Sequence, residues 1–272
     1  LVSAEVESIC IENSTAVGVR MKDGTLFRAK NIVSNAGIMT TYNSLLPTKT
    51  VKKHNLLNQL KKVKRSVSHV SLYIGLDGSP EELGIPKFNY WVYPKEGDHD
   101  QCVKNYLNDL SQPFPLVYLS FPSAKDPDWS NRYPGKSTID VITLIPYDAF
   151  EEWADTPWKK RGKAYEAKKE YIAQRLLKEV YKQLPQVEGK ISFYELSSPL
   201  STQHFINYKK GEIYGLEHSP SRFRQSFLKP KTPIKNLYLT GQDVVSAGVG
   251  GALFSGVLAA MAMTGKNVLK KI

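Results

Sequence analysis

The residues best placed to do chemistry lie near the C-terminus, in "NLYLTGQDVVSAGVGGALFSGVLAA". An apolar, strand-like run stops at Gly241, Gln242 and Asp243; Gly248, Gly250 and Gly251 then lead into a long run of small and apolar residues. A strand that meets a helix through a Gly-rich turn commonly cradles an anion or a cofactor. Asp243 stands at the mouth of a buried strand, where an ionised carboxylate can accept hydrogen bonds from sugar or polyol hydroxyls. The glycines allow a ligand close to the backbone. The N–H groups of Val249, Gly250, Gly251 and Ala252 sit at the positive end of the helix dipole and suit an electron-rich ring edge or a phosphate. A carboxylate beside such donors fits a flavin, with its polyol chain on the acid and a ring carbonyl on the helix. A Gly-rich helix start used only for tight packing fits the same spacing.

Other catalytic patterns are missing. There is no GxSxG elbow, no HExxH and no Walker loop, and the five histidines include no pair at metal-ligand spacing, so no metal site is expected. "DPDWSN" from Asp126 reads as a turn, and "EEWAD" from Glu151 as an exposed helix start. Cys10 and Cys102 are too far apart in sequence to suggest a disulfide framework. "NST" at Asn13 matches a glycosylation sequon of a kind that arises often by chance.

The formal net charge is +11. The lysines are spread widely, and the densest run, "QLKKVKR" from Gln59, has no interleaved aromatics, so no nucleic-acid partner is expected. A basic face on an anionic membrane and a plain solvated surface both fit. The uncharged window between Asp243 and Lys266 is long enough to cross a bilayer. Its first third is turn chemistry, however, and the rest is rich in Ala, Gly and Ser. A helix buried between a sheet and a ligand needs small residues on every face, and that reading is taken. No signal peptide opens the chain. It starts within a strand-like segment and is expected to be a piece of something longer.

The elements that must position these residues follow from periodicity. Strand–turn–strand patterning around Asp23 and Gly24 predicts a hairpin, with a further strand ending at Asn35, Ala36 and Gly37. "IMTTYNSLL" predicts a short helix, and residues 51–65 a cationic helix. "SHVSLYIGLDG", "FNYWVYP", "PLVYLSFPS", "STIDVITLIPY" and "KISFYEL" read as strands. "DQCVKNYLNDL" reads as a helix. Residues 158–184 form the longest helical candidate, ended by Pro185. "SPLSTQHFIN" and "GEIYGLEHSP" read as loop and short strand, and "NLYLTG" as the last strand. The ends are thus α/β, and the middle is a mixed sheet with helices. Residues 1–50 and 206–272 are expected to fold together, with 51–205 as an inserted layer.

Several motifs in one order carry a resemblance. "SSPLSTQHF", "GEIYGLEHS", "NYWVYP", "SFPSAKDPDW", "PGKST" and "FEEW", with the C-terminal glycine segment, resemble the all-trans-retinol saturase branch of the phytoene desaturase-like FAD oxidoreductases, which lies close to the carotenoid isomerases. The resemblance covers most of the chain. It implies part of an FAD/NAD(P)-binding Rossmann-like domain carrying an α+β substrate domain. It sets Val6 against the adenine and Ser34, Asn35 and Ala36 near the cofactor. Gly241, Gln242 and Asp243 fall on the ribityl chain, and residues 248–252 against the flavin ring. Tyr214 and His218 fall by the flavin or the substrate. Gln242 departs from the wider pattern, in which Gly and Asp are adjacent. No GxGxxG turn follows a first strand here, so the resemblance implies that the pyrophosphate-binding half lies in an N-terminal region outside this chain.

The implied activity is reduction of one double bond of a polyene lipid, with FAD as cofactor and NAD(P) as one candidate electron donor. Carotenoid isomerisation or desaturation is the alternative within the family, and a non-catalytic lipid-binding or membrane-docking module the alternative outside it. The implied partners are an apolar substrate, a membrane surface and the missing half of the same protein. The implied location is peripheral on a membrane, at the cytoplasmic face in a bacterium or at the endoplasmic reticulum in a eukaryote.

Overall fold

The first strands form a small sheet with few buried positions. β1 (Val6–Glu12) buries Ile9; β2 (Thr15–Met21) buries Ala16, in one core with Ile9, and also Gly18 and Met21. β1 and β2 are antiparallel, and β2 pairs in turn with β3 (Leu26–Arg28). The turn between β2 and β3 closes where the Asp23 carboxylate accepts from the Thr25 N–H at 2.8 Å. β4 (Ile32–Ser34) follows. The computed structural model describes residues 1–94 and 97–271.

Residues 51–65 do not make one helix. Asn55 adopts a left-handed conformation, with φ 53°, and splits the segment into Thr48–Lys53 and Leu56–Leu60. Val51, Leu56, Leu60 and Val63 pack into one core with Ile9, Tyr42, Leu216 and Leu237. The lysines of this segment therefore ride on a stretch whose apolar side belongs to the first core. The chain divides into two units, residues 1–66 with 214–272, and residues 67–213. The sequence-based division at 50/51 and 205/206 differs from this one by residues 51–66, which these packing contacts hold in the first unit, and by residues 206–213, which fall in the second.

The second unit holds β5 (His69–Asp77), β6 (Tyr90–Val92), β7 (Val117–Ser120), β8 (Lys136–Leu144) and β9 (Ile191–Ser197), in the order β6-β7-β8-β5-β9. A mixed sheet was expected, but every pairing here is antiparallel. The misleading signal is the strand, long helix, strand order of β8, Gly162–Gln183 and β9. That crossover does join two strands of the same direction, but β5 lies between them. Val70, Leu72, Ile74 and Leu76 alternate into the core, where Ile172, Leu176, Leu177 and Val180 of the long helix also pack. Each such side chain contributes about 1.5–3 kcal/mol by leaving water.

"SPLSTQHFIN" is a helix rather than a loop. Pro199–Ile206 begins with Ser198 as N-cap, in a capping box with Ser201, and ends at left-handed Asn207. "GEIYGLEHSP" carries only isolated bridges, at Glu212 and Leu216, rather than a strand. β10 (Leu237–Leu239) returns to the first unit and lies parallel to β4, with Leu237 opposite Ile32 and Leu239 opposite Ser34. The helix Gly248–Thr264 follows and stops at Gly265.

Candidate functional site

β4 and β10 end side by side, so the turns that leave them meet at one sheet edge. In open parallel sheets this carboxyl edge is where ligands bind. Ser34, Asn35 and Ala36 leave β4 there, and Gly241, Gln242 and Asp243 leave β10. The Thr240 N–H donates to the Ser34 carbonyl at 3.0 Å. The Ser34 hydroxyl is buried against Thr41 at 2.8 Å. Gly241 has φ 96°, which strains any residue with a Cβ, and a Cβ there would also fall 2.0 Å from the Asn35 side-chain oxygen and displace it.

Asp243 is buried, at 4% exposure. Its Oδ2 accepts from the Ile38 N–H at 2.8 Å, and its Oδ1 from the Leu216 N–H at 3.0 Å. One carboxylate thus ties three loops of the first unit: the exit of β4, the exit of β10 and the turn at Gly215. A Cβ on Gly215 would lie 2.4 Å from Oδ1, which keeps that backbone against the acid. The sequence placed a polyol on these oxygens. In the structure, each already holds a main-chain amide.

Two residues at this edge went unread in the sequence. Arg222 is 2% exposed and sits beneath the exit of β10. Its Nη2 donates to the Gln242 carbonyl at 2.5 Å and to the Val245 carbonyl at 3.4 Å. Burial pushes its pKa down, while the Asp243 charge acts to raise it. Its Nη1 lies 3.0 and 2.9 Å from the two ring nitrogens of His218. His218 Nε2 in turn accepts from the Ala247 N–H at 2.7 Å, at the N-cap of the last helix. Burial first, and the Arg222 charge second, hold the His218 pKa below the ordinary imidazole value. The imidazole is therefore neutral at pH 7, as an acceptor must be. Ser255, fully buried, is the second missed residue. Its hydroxyl accepts from the Gly241 N–H at 2.6 Å and donates to the Ala252 carbonyl at 2.6 Å. A lone Arg among 37 basic residues and a Ser inside an apolar helix carry no pattern that would single them out.

The last helix starts without a side-chain cap. Gly248, Val249 and Gly250 are exposed, and Val249 is 87% exposed. The first-turn amides thus have no side-chain acceptor. The helix is not covered on every face, as its composition suggested. Ser255 and Ala259 are buried, while Leu253 and Phe254 are exposed on the other side. Among the described residues no helix is long and apolar enough to cross a membrane, and no group of three His, Cys, Asp or Glu residues could hold a metal ion. His218 joins the Asp243 edge through Arg222. Tyr214 stands 44% exposed just ahead of Gly215. Val6 begins β1, opposite Met21 in the three-stranded sheet, rather than at the β4–β10 edge.

A strand-end junction with an uncapped, glycine-rich helix start is an arrangement suited to a nucleotide or flavin. The chain's relatives give the class: it belongs to the family that includes the retinol 13,14-reductases and the prolycopene isomerases. It is 36% identical, over 98% of its length, to the all-trans-retinol 13,14-reductase of Danio rerio. It is 29% identical, over 94% of its length, to the chloroplastic prolycopene isomerase of Arabidopsis thaliana. The chain spans about half the length of the curated relatives it matches: 46% of the first and 40% of the second. No protein-family model matches it. Among solved structures, an oxidoreductase from Methanosarcina mazei superposes over 97% of this chain and 49% of that one, at 16% identity and a TM-score of 0.47. That likeness is too loose to carry an argument.

Proposed function

We propose that this chain is part of an FAD-dependent oxidoreductase that reduces a carbon–carbon double bond of a polyene lipid. The observation that carries the reading is the joining of the β4 and β10 exits to an uncapped helix start within one unit, in a chain related to 13,14-reductases. Bound FAD would supply the hydride chemistry. The residues present fit a flavin through their backbone. The amides of residues 249–252 are uncapped donors for a ring carbonyl edge, and the exposed glycines admit the ring. Asp243, holding Ile38 and Leu216, would shape the loop that meets the ribityl chain. Ser34, Asn35 and Ala36 would line the same edge. Neutral His218 would hold Ala247 and so fix the helix start beside the ring. Val6 would stand toward the adenine and Tyr214 toward the substrate.

The pyrophosphate site, on this reading, lies in the part of the protein outside this chain, and NAD(P) would be the electron donor. Exposed Lys61, Lys62 and Lys64, with Val63 turned inward, would rest on an anionic membrane. The protein would then be peripheral, at the cytoplasmic face in a bacterium or at the endoplasmic reticulum in a eukaryote. Isomerisation is the second reading, favoured by the prolycopene isomerases among the relatives.

The test is full-length protein incubated without oxygen with reduced FAD and all-trans-retinol. A product heavier by two hydrogens is expected. A product of unchanged mass and altered geometry would move the assignment to isomerisation. Protein that purifies colourless and takes up no FAD would end both and leave a lipid-binding module.

A further inference from the structure

The helix Pro199–Ile206 of the second unit ends on two apolar side chains that face outward. Phe205 is 70% exposed and Ile206 58%. The capping box at Ser198 and left-handed Asn207 define both ends of this short helix, and so the place of its tip. Trp158 joins the tip. Its ring stacks on His204 at 4.8 Å and 4° and meets Phe205 edge-on at 4.9 Å. The Arg161 guanidinium lies 5.3 Å from the same ring. Trp158, Lys159, Phe205 and Ile206 border one recess of about 420 Å³, so they form a single patch. Exposed lysines flank it in both segments: Lys159, Lys160 and Lys163 in "WKKRGK", and Lys209 in "HFINYKK". Glu151 is already paired with Lys210 at 2.6 Å. Glu152, Asp155 and Glu195 are the other carboxylates near in sequence or in the recess, and the cations outnumber them.

We infer that this tip docks on an anionic phospholipid bilayer, with Phe205 and Ile206 entering the boundary between headgroups and acyl chains and the lysines resting on the headgroups. The contact belongs to the second unit and goes beyond the lysines of residues 61–64. It depends on neither the flavin nor the polyene. Large apolar side chains standing together in water mark a surface that something covers. A protein partner would suit the aromatic rings but not the lysines, which are depleted from protein–protein interfaces. A bilayer suits both. Segments that lie in the membrane interface combine Trp, Phe and aliphatic residues with Lys and Arg. Trp is favoured at that boundary, and lysine stems cover apolar surface while their ammonium groups stay with the headgroups. The helix has eight residues, too few to span a bilayer, so the contact is peripheral.

The experiment uses full-length protein and co-sedimentation with vesicles of phosphatidylcholine, alone or mixed with phosphatidylserine. Wild type should favour the mixed vesicles, and the preference should shrink as salt is raised. Phe205→Ser with Ile206→Ser should weaken binding to the mixed vesicles about tenfold. Lys159→Glu with Lys160→Glu should remove most of the preference for phosphatidylserine. All four residues are exposed, so these chains should fold; circular dichroism checks this. Ile206→Cys reads the tip directly. It should react with a maleimide in solution, above the background of Cys10 and Cys102, and be shielded when vesicles are added. Resistance to the reagent without vesicles would mean that the rest of the protein covers the tip, and would overturn the inference. So would vesicle binding that survives Phe205→Ser with Ile206→Ser and is lost with Lys61→Glu and Lys62→Glu, which would give the bilayer to the first unit alone. Flavin absorbance is read on the same samples. Colourless protein that takes up no FAD and still binds through the tip would sink the oxidoreductase reading and leave this surface standing. Flavin-loaded protein that ignores vesicles would do the reverse.

Discussion

The β4–β10 edge and the start of β5 treat buried polar groups in opposite ways. At the edge, both Asp243 oxygens, the Arg222 guanidinium, the Ser255 hydroxyl and His218 Nε2 each hold a main-chain group. At the start of β5, the His69 Nδ1 is buried and holds nothing among the described residues. Both histidines are kept neutral by burial, yet one fixes a helix start and the other faces no protein partner. Polar groups tied to backbone build a scaffold, and their loss costs stability. A polar group left untied costs stability by being present.

The sharpest way to break this contrast is Asp243→Ala. It leaves the buried Ile38 and Leu216 amides without acceptors and should cost about 3 kcal/mol, read as faster hydrogen exchange of the peptides that carry them. Unchanged protection there would mean that Asp243 is not the tie. Arg222→Met should cost about 2 kcal/mol by releasing the Gln242 and Val245 carbonyls, and exchange should rise at residues 242–247. Ser255→Ala frees one amide, that of Gly241, and should cost about 1 kcal/mol.

The smallest effect belongs to the other region. His69→Leu should leave stability at pH 7.5 within about 0.5 kcal/mol of wild type, or raise it. It should also flatten the acid side of the stability profile. The folded-state pKa values of His69 and His218 lie below the ordinary 6.5. The unfolded chain therefore takes up protons first as pH falls. Their contribution is complete above about pH 6.5 and is lost as pH drops through the folded values. Urea midpoints should accordingly fall between pH 7.5 and 5, and less steeply in the variant. A wild-type profile flat over that range would remove both histidines from the comparison.

Much of this fold is legible in the sequence wherever one residue type answers to one local demand. Alternation marks the long strands, and the glycine run after Asp243 marks the last turn. Pro199 after Ser198 is a helix-start signal in its own right; the Ser, Thr and Pro content around it reads as loop because composition hides position. Asn55 breaks a cationic run that has a helical pattern, through a backbone angle that Asn tolerates and periodicity does not encode. The site is half legible. Asp243 and its glycines stand out by type and spacing. Arg222, Ser255 and His69 matter through what surrounds them, and those neighbours are brought in by distant segments.

The long return of the chain has a kinetic consequence. The Ile38–Asp243 tie spans 205 residues of sequence, a costly loop to close from an unfolded chain. The insert closes most of it: the Ile213 N–H meets the Val67 carbonyl at 3.0 Å, and the Ser66 N–H meets the Gly215 carbonyl at 2.8 Å. Once residues 67–213 have collapsed around their own continuous core, the two strangers β4 and β10 become near neighbours. The β4–β10 edge should therefore be the last part of this polypeptide to assemble and the first to come apart.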